Sequence, residues 1–195
     1  MLFRKWHALG KRRRAFTIIE LLVVMTLIGV MAAIAVPKMR VSKKMHVRMA
    51  ARQVMRDLEL ARNRSLSLKR VTRVNFDLAN NRYTGYADDD NNGAIAATNA
   101  EILYLRAFPI RQFSNNVVFG RGAATGGIPG ESVAGSVTLP SNRADFDTRG
   151  MPSPFGTKGV VYLTSSAENS SVFAIQMTGS GSFKLWEYQP NGTWR

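Results

Sequence analysis

The sequence predicts an α+β protein: a long N-terminal helix, hydrophobic first and amphipathic after, packed on an antiparallel β domain. Three observations carry this. Residues 16–36 are an apolar run with a single charge, Glu20. Residues 47–61 repeat apolar side chains every three or four positions. From residue 72 the chain breaks into short segments rich in β-branched and aromatic residues, separated by glycine and asparagine turns. Helix comes first and strands follow without alternation, the order expected of α+β rather than α/β.

The apolar run reads FTIIELLVVMTLIGVMAAIAV. As a helix it is about 31 Å long, enough to cross a hydrocarbon core of roughly 30 Å. It is apolar on all faces, unlike the one-sided stripe of a surface helix in a globular protein. After Pro37 the pattern becomes one-sided: Val47, Ala51, Val54, Leu58 and Ala61 share one face, and Arg48, Arg52 and Arg56 line another. Like charges four apart repel, so the basic face is expected to meet acids or anionic headgroups, or to stand in solvent. This helix should end near Ser67–Lys69. The strand candidates are TRVNFDL, RYTGYA, EILYLRAF, NVVF, SVTL, GVVYLT, SVFAIQM and SFKLWEY. Asn80-Asn81 and Thr178-Gly179-Ser180-Gly181 mark hairpin turns. The glycine-rich stretch 120–135 lacks phosphate-loop spacing and reads as a flexible loop. Trp186 and Trp194 are expected to pack at strand ends.

Composition limits the function classes. The 195 residues are 45% hydrophobic and 21% charged, ordinary for a folded chain. There is no cysteine, which excludes disulfides, zinc ribbons and a cysteine nucleophile. The two histidines, His7 and His46, cannot build a Ser-His-Asp set in any evident way, and an enzyme is not expected. The net charge of +14 invites a nucleic-acid reading, but it is unevenly placed. Residues 1–15 contribute +6, residues 16–37 contribute −1 and residues 38–70 contribute +9, whereas residues 71–195 are neutral. Bases flank the apolar run on both sides, so the positive-inside rule does not orient it.

The informative stretch is the start of the apolar run. A carboxylate inside such a run costs roughly 2.5–3.5 kcal/mol on insertion scales, so Glu20 needs a functional reason and a partner. A cut before Phe16 would place a new α-amine one helical turn from Glu20, and the amine of a neighbouring subunit could neutralise that carboxylate.

Arg14-Ala15-Phe16-Thr17-Ile18-Ile19-Glu20-Leu21 resembles the class III signal of type IV prepilins and type II secretion pseudopilins. The resemblance implies prepilin-peptidase cleavage between Ala15 and Phe16 and N-methylation of Phe16. It implies filament assembly through Glu20, with Pro37 as the family's helix-breaking proline. The residue before the cut is usually Gly and is Ala15 here. The passage VMRDLELARNRSLSLKRVTRVNF and the later stretches FDTRGMPSPFGTKGVVYLT and MTGSGSFKLWEYQPNGTWR resemble the GspH/FimT minor pilins. The implied organisation is a leader at 1–15, a transmembrane and assembly helix at 16–37, an amphipathic helix at 38–70 and a periplasmic β domain at 71–195. The implied partners are prepilin peptidase, other pilins or pseudopilins, an inner-membrane assembly platform and membrane lipid, in a type II secretion system or a type IV pilus.

Three other readings stand beside this one. DNA-uptake pilins of the FimT type carry a Gly-Arg-x-Arg motif, and the corresponding Gly181-Ser182-Phe183-Lys184 lacks its first arginine, so DNA is a possible but unfavoured partner. Arg13-Arg14 and Ala33-Ile34-Ala35 are similar to a twin-arginine signal with a cleavage site, which would describe an exported soluble protein. Asp88, Asp90 and Asn92 with Gly93 fall at positions 1, 3, 5 and 6 of a calcium loop, making Ca²⁺ the one cofactor the sequence suggests, against a solvated acidic turn. Position 12 of that loop is Asn99 rather than Glu.

Overall fold

The computed structural model describes residues 17–38, 42–90, 92–93, 95, 102–131 and 135–195, with side chains omitted at 34–38, 102 and 106. It divides into two units, 1–40 and 41–195.

The first unit contains α1 (Ile18–Lys38). Thr17 starts it: its Oγ1 accepts a hydrogen bond from the Glu20 backbone N–H at 3.2 Å. Thr17-Ile18-Ile19-Glu20 is thus the Thr-x-x-Glu pattern of a capping box, with an acid in the electropositive first turn. The helix ends one residue past Pro37, whose missing N–H and fixed φ make continuation unfavourable. Every described side chain of α1, 18–33, is exposed, Ile18 by 86%. Among the described residues no helix is long and apolar enough to cross a membrane. The described side chains cover about 24 Å of helix, less than the run at 16–37 that the sequence marks as a span.

The second unit opens with α2 (Lys43–Leu68), capped by Ser42 Oγ, which accepts from the Met45 N–H at 3.3 Å, and closed by left-handed Lys69. Its buried stripe is Val47, Ala50, Ala51, Val54, Asp57, Leu58, Ala61 and Ser65. Among the described residues eight strands follow in two antiparallel sheets. The first has the order β3 (Ile102–Pro109), β2 (Arg82–Ala87), β1 (Thr72–Asp77), β5 (Arg143–Phe146). The second has the order β4 (Val117–Phe119), β6 (Gly159–Ser165), β7 (Glu168–Met177), β8 (Phe183–Glu187). The α2 stripe packs against both, meeting Val74, Phe76 and Tyr83 of the first sheet and Leu163, Phe173 and Ile175 of the second in one core. The architecture is α+β, a long N-terminal helix followed by antiparallel sheets.

Three sequence expectations are corrected here. SVTL (136–139) is not a full strand; only Val137 bridges, to Val161. β5 was not expected, because its four residues alternate Arg143 and Asp145 with Ala144 and Phe146, too short a period to register. The glycine-rich stretch is a packed cover rather than a loose loop: Ile128 is fully buried in a second cluster with Val160, Tyr162 and Ala174 under Trp186 and Trp194. Trp194 Nε1 donates to the Gly126 carbonyl at 3.1 Å. Glycine is required at position 85, where a β-carbon would lie 2.6 Å from the Tyr104 ring at the β2–β3 register shift.

Candidate functional site

The sequence points to two places, the start of α1 and the loop after β2. Ala15 and Phe16 lie outside the described residues. Glu20 is exposed in the first turn of α1, flanked by exposed Ile18, Ile19, Leu21 and Leu22. A carboxylate among so many uncovered aliphatic side chains is a polar anchor in a surface that water does not favour. The capping box was readable as Thr17-x-x-Glu20 and was missed, because attention to the apolar run hides its polar start.

The acidic loop begins at Asp88, which is fully buried. Its backbone N–H donates to the Val71 carbonyl at 2.9 Å, and its Oδ2 accepts from the Gly93 N–H at 2.8 Å. Asp90 accepts from the Asn92 backbone N–H at 3.1 Å and from Asn92 Nδ2 at 2.7 Å. Arg70 reaches across from the end of α2 and donates to the carbonyls of Asp88 and Asp89 and to Asp89 Oδ1. The structure therefore brings Asp88, Asp90 and Asn92 into one short turn. Asn99 and Glu101 lie outside the described residues. Among the described residues no three His, Cys, Asp or Glu side chains gather as a metal cluster.

The basic face of α2 divides. Arg48 pairs with Glu187 of β8 at 2.6 Å and lies over the Phe173 ring, and Lys44 joins the same carboxylate. Arg52 and Arg56 remain exposed. Two of the bases nearest the α2 N-terminus are thus engaged within the chain. At the C-terminus Lys184 Nζ sits 4.8 Å from the Trp186 ring centroid.

Burial, the largest influence on Glu187, raises its pKa, but the hydrogen bonds and charges of Lys44 and Arg48 together outweigh it and hold the carboxyl below the ordinary glutamate value. A lowered folded pKa contributes stability above the unfolded value, about 4.3, and loses it as pH falls through the folded value. Glu187→Gln should therefore lower the denaturant midpoint at neutral pH. That deficit should shrink toward zero as pH falls below the folded value, where both states are protonated. A deficit undiminished at the acid end would show that Glu187 acts through packing instead.

Sequence reading missed the arginine stitching of the second unit. Arg62 Nε and Nη1 donate to the carbonyls of Gly150 and Gly181, each at 3.0 Å. Arg73 forks onto both oxygens of Asp145 at 2.7 and 2.9 Å, and its Nη1 donates to the Ile95 carbonyl. These partners lie 22 to 119 residues apart, so no local pattern announces them. The outward face of the first sheet holds an open cavity of about 330 Å³ lined by Asn75, Asp77, Arg82, Thr84, Tyr86, Leu103 and Ala107.

Residues 10–36 match the family model described as the prokaryotic N-terminal methylation motif. A comparison with curated proteins finds no match. Among solved structures, the chain is similar to the type IV minor pilin FimU of Pseudomonas aeruginosa, at 14% identity and a TM-score of 0.43 over 76% of this chain and 92% of that one. It is also similar to the minor pseudopilin EPSH of the type II secretion system of Vibrio cholerae, at 13% identity and a TM-score of 0.43 over 74% of this chain and 95% of that one. The start of this chain, with Ala15, Phe16 and Glu20 inside the matched stretch, is a prokaryotic N-terminal methylation motif.

Proposed function

We propose that the chain is a minor pilin or pseudopilin subunit of a type IV pilus or a type II secretion system. Prepilin peptidase cuts between Ala15 and Phe16 and the new Phe16 amine is methylated. The apolar run 16–37, about 31 Å as a helix, then anchors the chain in the inner membrane with residues 71–195 in the periplasm. From there the subunit joins a filament through α1, with Glu20 meeting the Phe16 amine of a neighbour and Pro37 ending the apolar helix. Partners are other pilins or pseudopilins and the inner-membrane assembly platform. The observation that carries the reading is an apolar helix, exposed along all its described side chains, whose first turn holds a carboxylate inside a methylation motif.

The test is the intact mass of the protein extracted from membranes of a host with prepilin peptidase. The expected mature chain begins at Phe16 and carries one methyl group. A chain beginning at Val36 would support the exported soluble protein and overturn this reading.

A further inference from the structure

The acidic turn after β2 is left unused by an assembly role, and one of its atoms lacks an explanation. Asp88 is fully buried, yet among the described residues its Oδ1 has no hydrogen-bond partner. A carboxylate oxygen only accepts, so a donor or a cation must meet it, and a buried acceptor left bare is unfavourable. The same carboxylate holds the Gly93 N–H through Oδ2, so it faces the inside of the turn. Arg70, which reaches this turn, does not serve it: Arg70 is directed at the Asp88 and Asp89 carbonyls and at Asp89 Oδ1.

We propose that this turn binds one Ca²⁺ ion, with Asp88 Oδ1 and the Asp90 carboxylate as its charged ligands and the Asn92 amide oxygen as a neutral one. Spacing and burial point the same way independently. Residues 88, 90 and 92 followed by Gly93 repeat the first half of a calcium loop, and Gly93 adopts the left-handed φ of +80° that its sixth position requires. Asp90 accepts two bonds from Asn92 within the same turn. The turn is anchored at both ends, by the bond from the Asp88 N–H to Val71 and by Arg73 on the Ile95 carbonyl. Calcium suits this set better than magnesium, because it accepts irregular shells of six to eight oxygens completed by water. Two carboxylates place the site in the weak class, with a Kd of roughly 0.1–1 mM.

The experiment uses the full chain in detergent micelles, first stripped with a chelator. Equilibrium dialysis against radioactive calcium should show one ion per chain, and thermal unfolding should move upward with CaCl₂ at about ten times the Kd, since only the native state holds the site. Equal MgCl₂ should give a clearly smaller rise. Asp90→Asn, at an exposed position, should fold normally in chelator and lose at least tenfold in calcium affinity. Asp88→Asn should do the same, and the Asp90 variant decides the matter should the Asp88 variant not fold. No bound calcium at 10 mM, an equal rise with magnesium, or an undiminished affinity in Asp90→Asn would each overturn the proposal.

Discussion

On the proposed function, Glu20→Val should leave the protein in the membrane fraction and remove it from the filament. The carboxylate makes insertion harder by roughly 2.5–3.5 kcal/mol on scales measured near a helix centre, so valine at this position eases entry into lipid. What valine cannot do is meet a neighbour's amine. Breaking one side of a pair buried in an apolar interface costs about 3–5 kcal/mol, because the surviving charge is stranded, and this exceeds a hundredfold in an assembly equilibrium. Glu20 also stands at the third position after Thr17, whose Oγ1 accepts from the Glu20 backbone N–H, so a contribution of its side chain to helix capping must be separated from the intersubunit one. Glu20→Gln does this. Glutamine still satisfies a capping box but carries no charge. Membrane recovery should be normal for both variants, and filament incorporation, scored by blotting sheared or cross-linked filaments, should be lost in both. Normal incorporation of Glu20→Gln would show that capping, not charge pairing, is the reason for the acid.

The parts of the molecule legible in sequence are those written in local periods. The α2 stripe was readable because Val47, Ala51, Val54, Leu58 and Ala61 repeat at helical spacing, and all five are buried. The β1–β2 hairpin was readable because Asn81 takes a left-handed conformation that asparagine tolerates, at φ +49°. Glu20 stood out because a charge in an apolar run breaks its own context. What escaped reading is long-range and polar. Arg62 reaches Gly150 and Gly181, Arg48 reaches Glu187, and Arg73 reaches Asp145, and in none of these does spacing along the chain reveal the partner. β5 escaped for the same reason: its outward residues are charges that make sense only beside β1. Asp57 lies in a strongly basic stretch of sequence, yet it points inward, where it is 6% exposed.

That inward acid predicts the largest stability effect of a single-atom change in the second unit. Tyr83 is fully buried, and its hydroxyl donates to Asp57 Oδ2 at 2.6 Å, while Gln53 Nε2 donates to both Asp57 oxygens at 3.1 and 3.2 Å. The bond ties α2 to β2 across the core. Tyr83→Phe keeps the ring, with its contacts to Phe76 and Phe108, and removes only the donor. The buried carboxylate is then left with Gln53 alone, at a cost of about 2–3 kcal/mol, or roughly 5–10 °C in Tm for a unit of this size. Arg52→Ala, at an exposed position on the same helix, should stay within about 0.5 kcal/mol. Alkaline pH separates the hydrogen bond from generic packing loss. Burial first, and then the bond to Asp57, push the Tyr83 phenol far above its ordinary value. A raised folded pKa contributes stability that is complete below the unfolded pKa, about 10, and declines as pH rises beyond it. Wild type should therefore lose stability above about pH 10 with one more proton's worth of slope than Tyr83→Phe, about 1.4 kcal/mol per pH unit, so the gap between them narrows. Unfolding in denaturant at pH 8 and at pH 11 measures both quantities. A gap that is small at pH 8, or that fails to narrow at pH 11, would show that the Tyr83 hydroxyl is not what holds Asp57 in the core.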